Sequence, residues 1–196
     1  MQSNTHHKLI VSIQRDKLTA GVTFGIGEWN EDEENHSGTI GIQNLKENIK
    51  FSSDLIKEQL IEQNNGLDAN GDGEISYIEA ASYGTPELLY IDNEYGSGIG
   101  FDEFKYFTSA KELHENFVGT NLSYITLPSS IETLGYVAFG ETESIRFTST
   151  VPPTVTDDAN REYGLGIDIR SIEVPKESVD LYKKALPYYS EKISGY

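Results

Sequence analysis

The chain reads as an α+β fold, and three patterns carry that reading. Apolar and polar residues alternate through Leu9, Val11 and Ile13 and again through Leu18, Ala20, Val22, Phe24 and Ile26, the period of half-buried strands. Leu55, Ile56 and Leu60 then share one helical face, ahead of an acidic, glycine-bearing loop and a second short helix. Finally, short Ile- and Leu-rich segments recur at Leu127, Phe147 and Val174, 20 and 27 residues apart, a spacing typical of stacked repeats.

The first element is a hairpin, with Arg15-Asp16-Lys17 as its turn, Trp29 closing the second strand and an acidic tip from Glu28 to Glu34. A lone hairpin is marginal in water, so its apolar face must pack on something. The strands and the Ile26-to-Trp29 segment resemble the last strands of fimbrillin-like bacterial surface domains. That resemblance implies that the chain is the C-terminal part of a longer adhesin-type protein. The region expected to hold the hairpin is 1–45.

The second unit spans 46–108. Ser52, Ser53 and Asp54 can cap its first helix, and Gly66 precedes the loop Asp68-Ala-Asn-Gly-Asp-Gly-Glu-Ile-Ser-Tyr-Ile-Glu79. Oxygen side chains stand at loop positions 1, 3 and 5 (Asp68, Asn70, Asp72), and Gly73 stands at position 6. Glu74 at position 7 would offer its backbone carbonyl, Ser76 falls at 9 and Glu79 at 12. An EF-hand loop needs this arrangement, with a sharp turn at the glycine and a bidentate carboxylate closing the coordination sphere. Oxygen-only donors in a flexible loop select Ca2+ over zinc or magnesium. The exit helix from Tyr77 should stop at Gly84-Thr85-Pro86.

EF-hands usually pair, and Asp92 to Glu103 offers a degenerate partner with acids at positions 1, 3 and 12. Gly96 replaces a ligand and Ser97 the turn glycine, so this loop is expected to serve as scaffold, or as an ordinary glycine-rich loop, without an ion. Position-8 residues Ile75 and Ile99 would then form a short antiparallel bridge.

The third unit, 109–196, opens on Leu122-Ser-Tyr-Ile-Thr-Leu-Pro-Ser-Ser-Ile-Glu-Thr-Leu-Gly-Tyr-Val-Ala-Phe139. This run resembles a unit of the BspA-like leucine-rich repeat of bacterial cell-surface proteins. Leu122, Ile125, Leu127, Pro128, Ile131, Leu134, Gly135, Ala138 and Phe139 each fall on a motif position. Leu113 to Phe117 echoes Leu134 to Phe139 with one residue fewer, and Ile145-Arg-Phe147 and Ile172-Glu-Val-Pro175 repeat the strand. Val179, Leu181, Tyr182 and Ala185 look like a helical terminal cap, which such a stack requires to cover its last apolar layer.

The resemblance therefore implies a small EF-hand-like helical unit joined to a short BspA-like leucine-rich-repeat solenoid, with the N-terminal hairpin in front. It implies export, calcium binding and an adhesive or recognition role at the cell surface or outside the cell, without catalysis. The alternative is a structural or assembly component of a fimbrial-type surface protein. With Ile125, Leu127, Ile145, Phe147, Ile172 and Val174 inward, the outward strand residues are Tyr124, Thr126, Arg146, Ser171 and Glu173. Tyr124 and Arg146 are the candidate partner-binding residues, because aromatic side chains and arginine favour interface centres. The partner would be a host or bacterial surface protein, or a glycan.

Composition narrows the alternatives. The 196 residues carry a formal charge of −17. From Phe51 to Phe104 there are 12 acidic residues against one base, Lys57, whereas Arg146 to Tyr196 holds 8 against 7. Without a basic stripe to neutralise phosphates, nucleic acid is excluded as a partner. No apolar run has the length of a membrane span, and the start Met-Gln-Ser-Asn-Thr-His-His has no signal-peptide core, so the leader of an exported chain would lie outside it. The absence of cysteine excludes disulfides, thiolate metal sites and a cysteine nucleophile. His6, His7, His36 and His114 form no H-E-x-x-H pair, and no P-loop or G-x-S-x-G elbow is present. The expectation is a non-enzymatic protein.

Overall fold

The computed structural model describes residues 47–87, 98–115, 117–118, 121–155 and 161–196. The expected hairpin and the first half of the Asp92-to-Glu103 loop lie outside these residues. What is described is a mixed α/β fold with parallel sheets and few helices, and no closed barrel among the described residues.

Helix α1 (Asp54–Gln63) forms because Ile56 and Leu60 project one turn apart into the core, with Leu55 packed beside them. Its N-terminus departs from the expected cap. Ser53 occupies the N-cap without a side-chain hydrogen bond, and the Ser52 N–H instead donates to Glu103 Oε1 at 2.6 Å. At the other end Asn64, buried, donates from Nδ2 to the Leu60 carbonyl (2.8 Å) and the Glu87 carbonyl (2.7 Å). Its Oδ1 accepts from the Glu87 N–H at 2.7 Å, so one amide clamps the end of α1 to the chain beyond α2 (Tyr77–Ser82). Between the helices, Gly66, Gly71 and Gly73 adopt φ of +85°, +73° and +78°, a left-handed backbone that favours glycine.

Among the described residues eight short strands follow. Strand β1 (Gly100–Phe101), β3 (Tyr124–Leu127), β5 (Ser144–Phe147), β7 (Ser171–Val174) and β8 (Ile193–Gly195) form one parallel sheet in that order. Strands β2 (Glu112–Leu113), β4 (Thr133–Leu134) and β6 (Thr154–Val155) form a second parallel sheet. Ladder partners in the first are 24, 20, 27 and 21 residues apart, from Gly100↔Tyr124, Tyr124↔Ser144, Ser144↔Ser171 and Ile172↔Ile193. Each circuit therefore returns the chain beside its previous strand. The stack closes on side chains that alternate as strands require: Ile125, Leu127, Ile145, Phe147, Ile172 and Val174 are all buried. Pro128 and Pro175 follow directly on β3 and β7, where the missing N–H ends a ladder at no cost.

Helix α3 (Val179–Ala185) covers this layer, but not through all the expected residues. Tyr182 is fully buried against the Phe147 ring, 5.1 Å between centroids, while Leu181 turns outward and is 54% exposed. The chain then adds β8 beyond the expected cap, with Ile193 beside Ile172. At the opposite end Phe101, Phe104, Phe107 and Phe117 form a continuous aromatic cluster, with centroids 4.9 to 6.3 Å apart along it. Tyr77 of α2 meets Tyr106 edge-on at 4.7 Å. These contacts join the helical part to the strands, and the buried side chains from Ile49 to Ile193 make one hydrophobic cluster.

Two predictions follow from this packing. Val137 adopts φ +51°, which a β-branched residue tolerates poorly, and its N–H is held by the Gly164 carbonyl at 2.7 Å. Val137→Gly should therefore raise stability by about 1 kcal/mol, read from urea midpoints at constant m-value. The second concerns alkali. Burial pushes the phenols of Tyr182 and Tyr189 above the usual tyrosine value. Such a group supports the fold fully below its unfolded value near pH 10, and the support is lost as pH rises toward the folded value. Thermal stability should fall from about pH 10 upward. Tyr182→Phe should flatten that fall, at a cost near neutrality of about 1 kcal/mol for the hydrogen bond to the Ser149 carbonyl (3.0 Å).

Candidate functional site

The loop between α1 and α2 is anchored at two apolar points, Leu67 just before it and Ile75 within it, both buried. Between them the backbone folds around its own acidic side chains. Asp68 Oδ1 accepts from the N–H groups of Gly71 (2.8 Å) and Asp72 (3.2 Å), and its Oδ2 accepts from Gly73 (2.9 Å). Asn70 Oδ1 accepts from Asp72 N–H at 2.8 Å, and Asp72 Oδ1 from Glu74 N–H at 2.9 Å. Each side chain thus takes a donor from further along the loop, the local bonding that suits Asp and Asn to turns.

Glu79 closes the loop from the other side. Its Oε1 accepts from Ala69 N–H (3.0 Å) and Asn70 N–H (3.3 Å), at the start of the loop. Its Oε2 accepts from the N–H and hydroxyl of Ser76, at 2.8 and 2.7 Å, while Ser76 Oγ accepts from Glu79 N–H at 3.3 Å. Ser76 and Glu79 are thus the two halves of a capping box on α2. The side chain of Glu74 turns away from the loop and pairs with Lys57 of α1 at 2.7 Å, which leaves Glu74 only its carbonyl for the loop. Lys57 is largely covered (15% exposed), and its hydrogen bond to Glu74 holds its ammonium above the usual lysine range. This partner was legible only as the single base of the acidic stretch.

The structure brings Asp68, Asn70, Asp72, Ser76 and Glu79 into one turn system, with their side-chain acceptors directed at backbone donors, and turns the Glu74 side chain out of it toward Lys57. Among the described residues, no group of three or more His, Cys, Asp or Glu side chains is placed to hold a metal ion. The expected Ile75–Ile99 bridge is also not formed. Ile75 accepts from Ile49 N–H at 2.8 Å, Asn48 and Ser76 make an antiparallel bridge, and Tyr77 N–H donates to the Glu47 carbonyl at 3.1 Å. The Ile99 carbonyl instead accepts from Ser123 N–H at 2.9 Å. The physical reason is competition for the same backbone edge: Ile49 is buried beside the loop and takes the strand position there, while the Ile99 carbonyl is committed to Ser123.

The second candidate surface is the outward face of the first sheet. Thr126, Arg146 and Glu173 lie in register across β3, β5 and β7, and Arg146 Nε donates to Glu173 Oε2 at 2.7 Å. Both partners are substantially exposed, so the pair contributes about 0–1 kcal/mol. Thr126, expected outward and open, is only 3% exposed because Asp102 lies over it and accepts its hydroxyl at 2.7 Å. Burial opposes ionisation of Asp102, but hydrogen bonds from Lys105 and Thr126 outweigh it and hold the carboxyl below its usual range. Asp102 and Gly100 were not anticipated as site residues. The Asp102-x-x-Lys105 spacing was the available signal, since such pairs meet within one turn.

Neither the family models nor the curated proteins compared with this chain give a match. No helix among the described residues is long and apolar enough to cross a membrane. One prediction belongs to the loop: Ser76→Ala should cost about 1 kcal/mol through loss of the cap on α2, measured by denaturant titration in the presence of chelator.

Proposed function

We propose that the chain is a calcium-binding, non-catalytic recognition or adhesion module of the bacterial surface or of a secreted protein. The reading is supported above all by one observation: the first and last acidic residues of the loop, Asp68 and Glu79, are both bonded to the same short backbone stretch, 69–73. The donor chemistry fits a hard cation, because Asp68, Asn70, Asp72, the Glu74 carbonyl, Ser76 and Glu79 offer oxygen alone. An ionised carboxylate has about four acceptor sites: Asp68 accepts three hydrogen bonds and keeps capacity for an ion, whereas Glu79 accepts four, so an ion would take the place of some of its donors. A bound Ca2+ would supply the positive charge that this loop lacks. The chain's own part is to fix the turn at Gly71 and Gly73, anchor Leu67 and Ile75 in the core, and hold Lys57 on Glu74 outside the loop.

The recognition half of the reading is supported by the parallel stack. It holds Tyr124 and Arg146 on one outward face by ladder register, independently of the loop.

The loop's two roles can be separated by one substitution. Glu79→Gln keeps an oxygen for the capping box but removes the carboxylate charge. In chelator its melting temperature should fall a few degrees below wild type, because the new NH2 cannot accept the backbone N–H groups that one carboxylate oxygen now holds, those of Ala69 and Asn70 or that of Ser76. Millimolar calcium should raise the wild-type melting temperature by several degrees, by mass action on the folded state, and leave Glu79→Gln unmoved. Equal melting curves for the wild type with calcium and with chelator, together with no heat on titration, would refute calcium binding.

A further inference from the structure

The outward face of the first sheet is a shallow groove of about 500 Å3, within the size range of small-molecule sites. Its aromatic member is held in a specific way. A β-carbon placed on Gly100 would fall 2.0 Å from Cε1 and 2.3 Å from Cζ of Tyr124, so the phenol ring lies directly on the glycine backbone. Tyr124 is nonetheless 41% exposed and lines the groove. One side of the ring is supported and the other is offered as a fixed apolar platform.

The charged members are already matched within the protein. Asp102 is held by Lys105 and Thr126. Glu173 is held by Arg146, whose guanidinium also sits 5.0 Å from the centre of the Tyr196 ring. Ser144 accepts from Ser171 at 2.8 Å in the neighbouring row. An anionic ligand would have to displace Glu173 from Arg146 and approach a chain of charge −17. A cationic ligand would sit beside the Arg146 guanidinium and the Lys105 ammonium and be repelled by both. A neutral ligand with both hydroxyl donors and acceptors breaks neither pair. It uses the remaining lone pairs of the two carboxylates and the remaining N–H groups of the guanidinium.

We infer that this groove binds a neutral saccharide, with one C–H face of a pyranose stacked on Tyr124 and its hydroxyls bonded by Asp102, Arg146 and Glu173. The inference rests on the reading of the chain as a recognition module and is independent of the calcium loop.

The test is the full chain on an array bearing neutral, sialylated and sulfated glycans beside a panel of purified extracellular matrix proteins. Isothermal titration with the best neutral glycan then compares variants of wild-type melting temperature. The expected result is binding to neutral glycans, with Tyr124→Ala weaker by about tenfold and Tyr124→Phe within about threefold, because stacking needs the ring and not the hydroxyl. Raising sodium chloride from about 0.05 to 0.5 M should change affinity less than about twofold, since no net charge is neutralised on binding. Gly100→Ala, which must displace the ring, should weaken binding as Tyr124→Ala does. Selective, salt-sensitive binding of sialylated or sulfated glycans overturns the inference, as does neutral-glycan binding indifferent to Tyr124→Ala. Blank glycan spots with Tyr124-dependent binding to a matrix protein overturn the saccharide and leave the recognition reading standing. Blank glycan and protein spots overturn both.

Discussion

The segment from Gly100 to Phe107 is the constraint on which the rest of the structure depends, because its residues answer to four different neighbours at once. Phe101, Phe104 and Phe107 fill the core from one short stretch of strand and 3-10 turn. Between them Glu103 reaches back to Ser52 at the start of α1, and Tyr106 meets Tyr77 at the start of α2. Asp102 and Lys105 turn the other way and cover Thr126 on the sheet face, where Gly100 also supports Tyr124. A shift of one residue here would put charges into the aromatic cluster and phenylalanines on the surface. Register in this segment is therefore fixed from both sides.

Glu103 carries a cost of this arrangement. It is only 7% exposed, one carboxylate oxygen accepts from Ser52, and the other has no hydrogen-bond partner. A carboxylate lodged so close to the N-terminus of α1 gains from the partial positive charge of the helix end. This offsets part of its desolvation, and it explains why α1 can do without a side-chain bond from Ser53.

Much of the architecture is legible in the sequence where one residue pattern meets one physical demand. The alternation Ile125-Thr-Leu127-Pro128 specifies inward faces and a strand end, and the ladder Tyr124–Ser144–Ser171 follows from the repeat of that pattern. Other elements left no such trace. Strand β8 has a single buried apolar residue, Ile193, ahead of Ser194 and Gly195, and forms because β7 offers an open ladder. The second sheet is built from two-residue strands too short for alternation to mark, although the echo of Leu134 at Leu113 anticipates the pairing of β2 with β4. In the loop the spacing of oxygen side chains was readable, but their partners were not. That Asp68 and Glu79 converge on backbone 69–73, and that Ile49 takes the place beside Ile75, depend on packing from outside the twelve residues.

The parallel ladder has a further consequence, for how the chain reaches its fold. No strand in the first sheet pairs with one more than 27 residues away, and neighbours in space are neighbours in circuit order. Each new circuit closes a loop of similar and modest entropy on a surface that the preceding circuit has prepared. Assembly can thus proceed by accretion from any formed pair, in either direction, with no late search to join distant ends. Although every pairing within the two sheets is parallel, a topology usually slow to form, here the growing edge always lies within one circuit of the strand that will cover it.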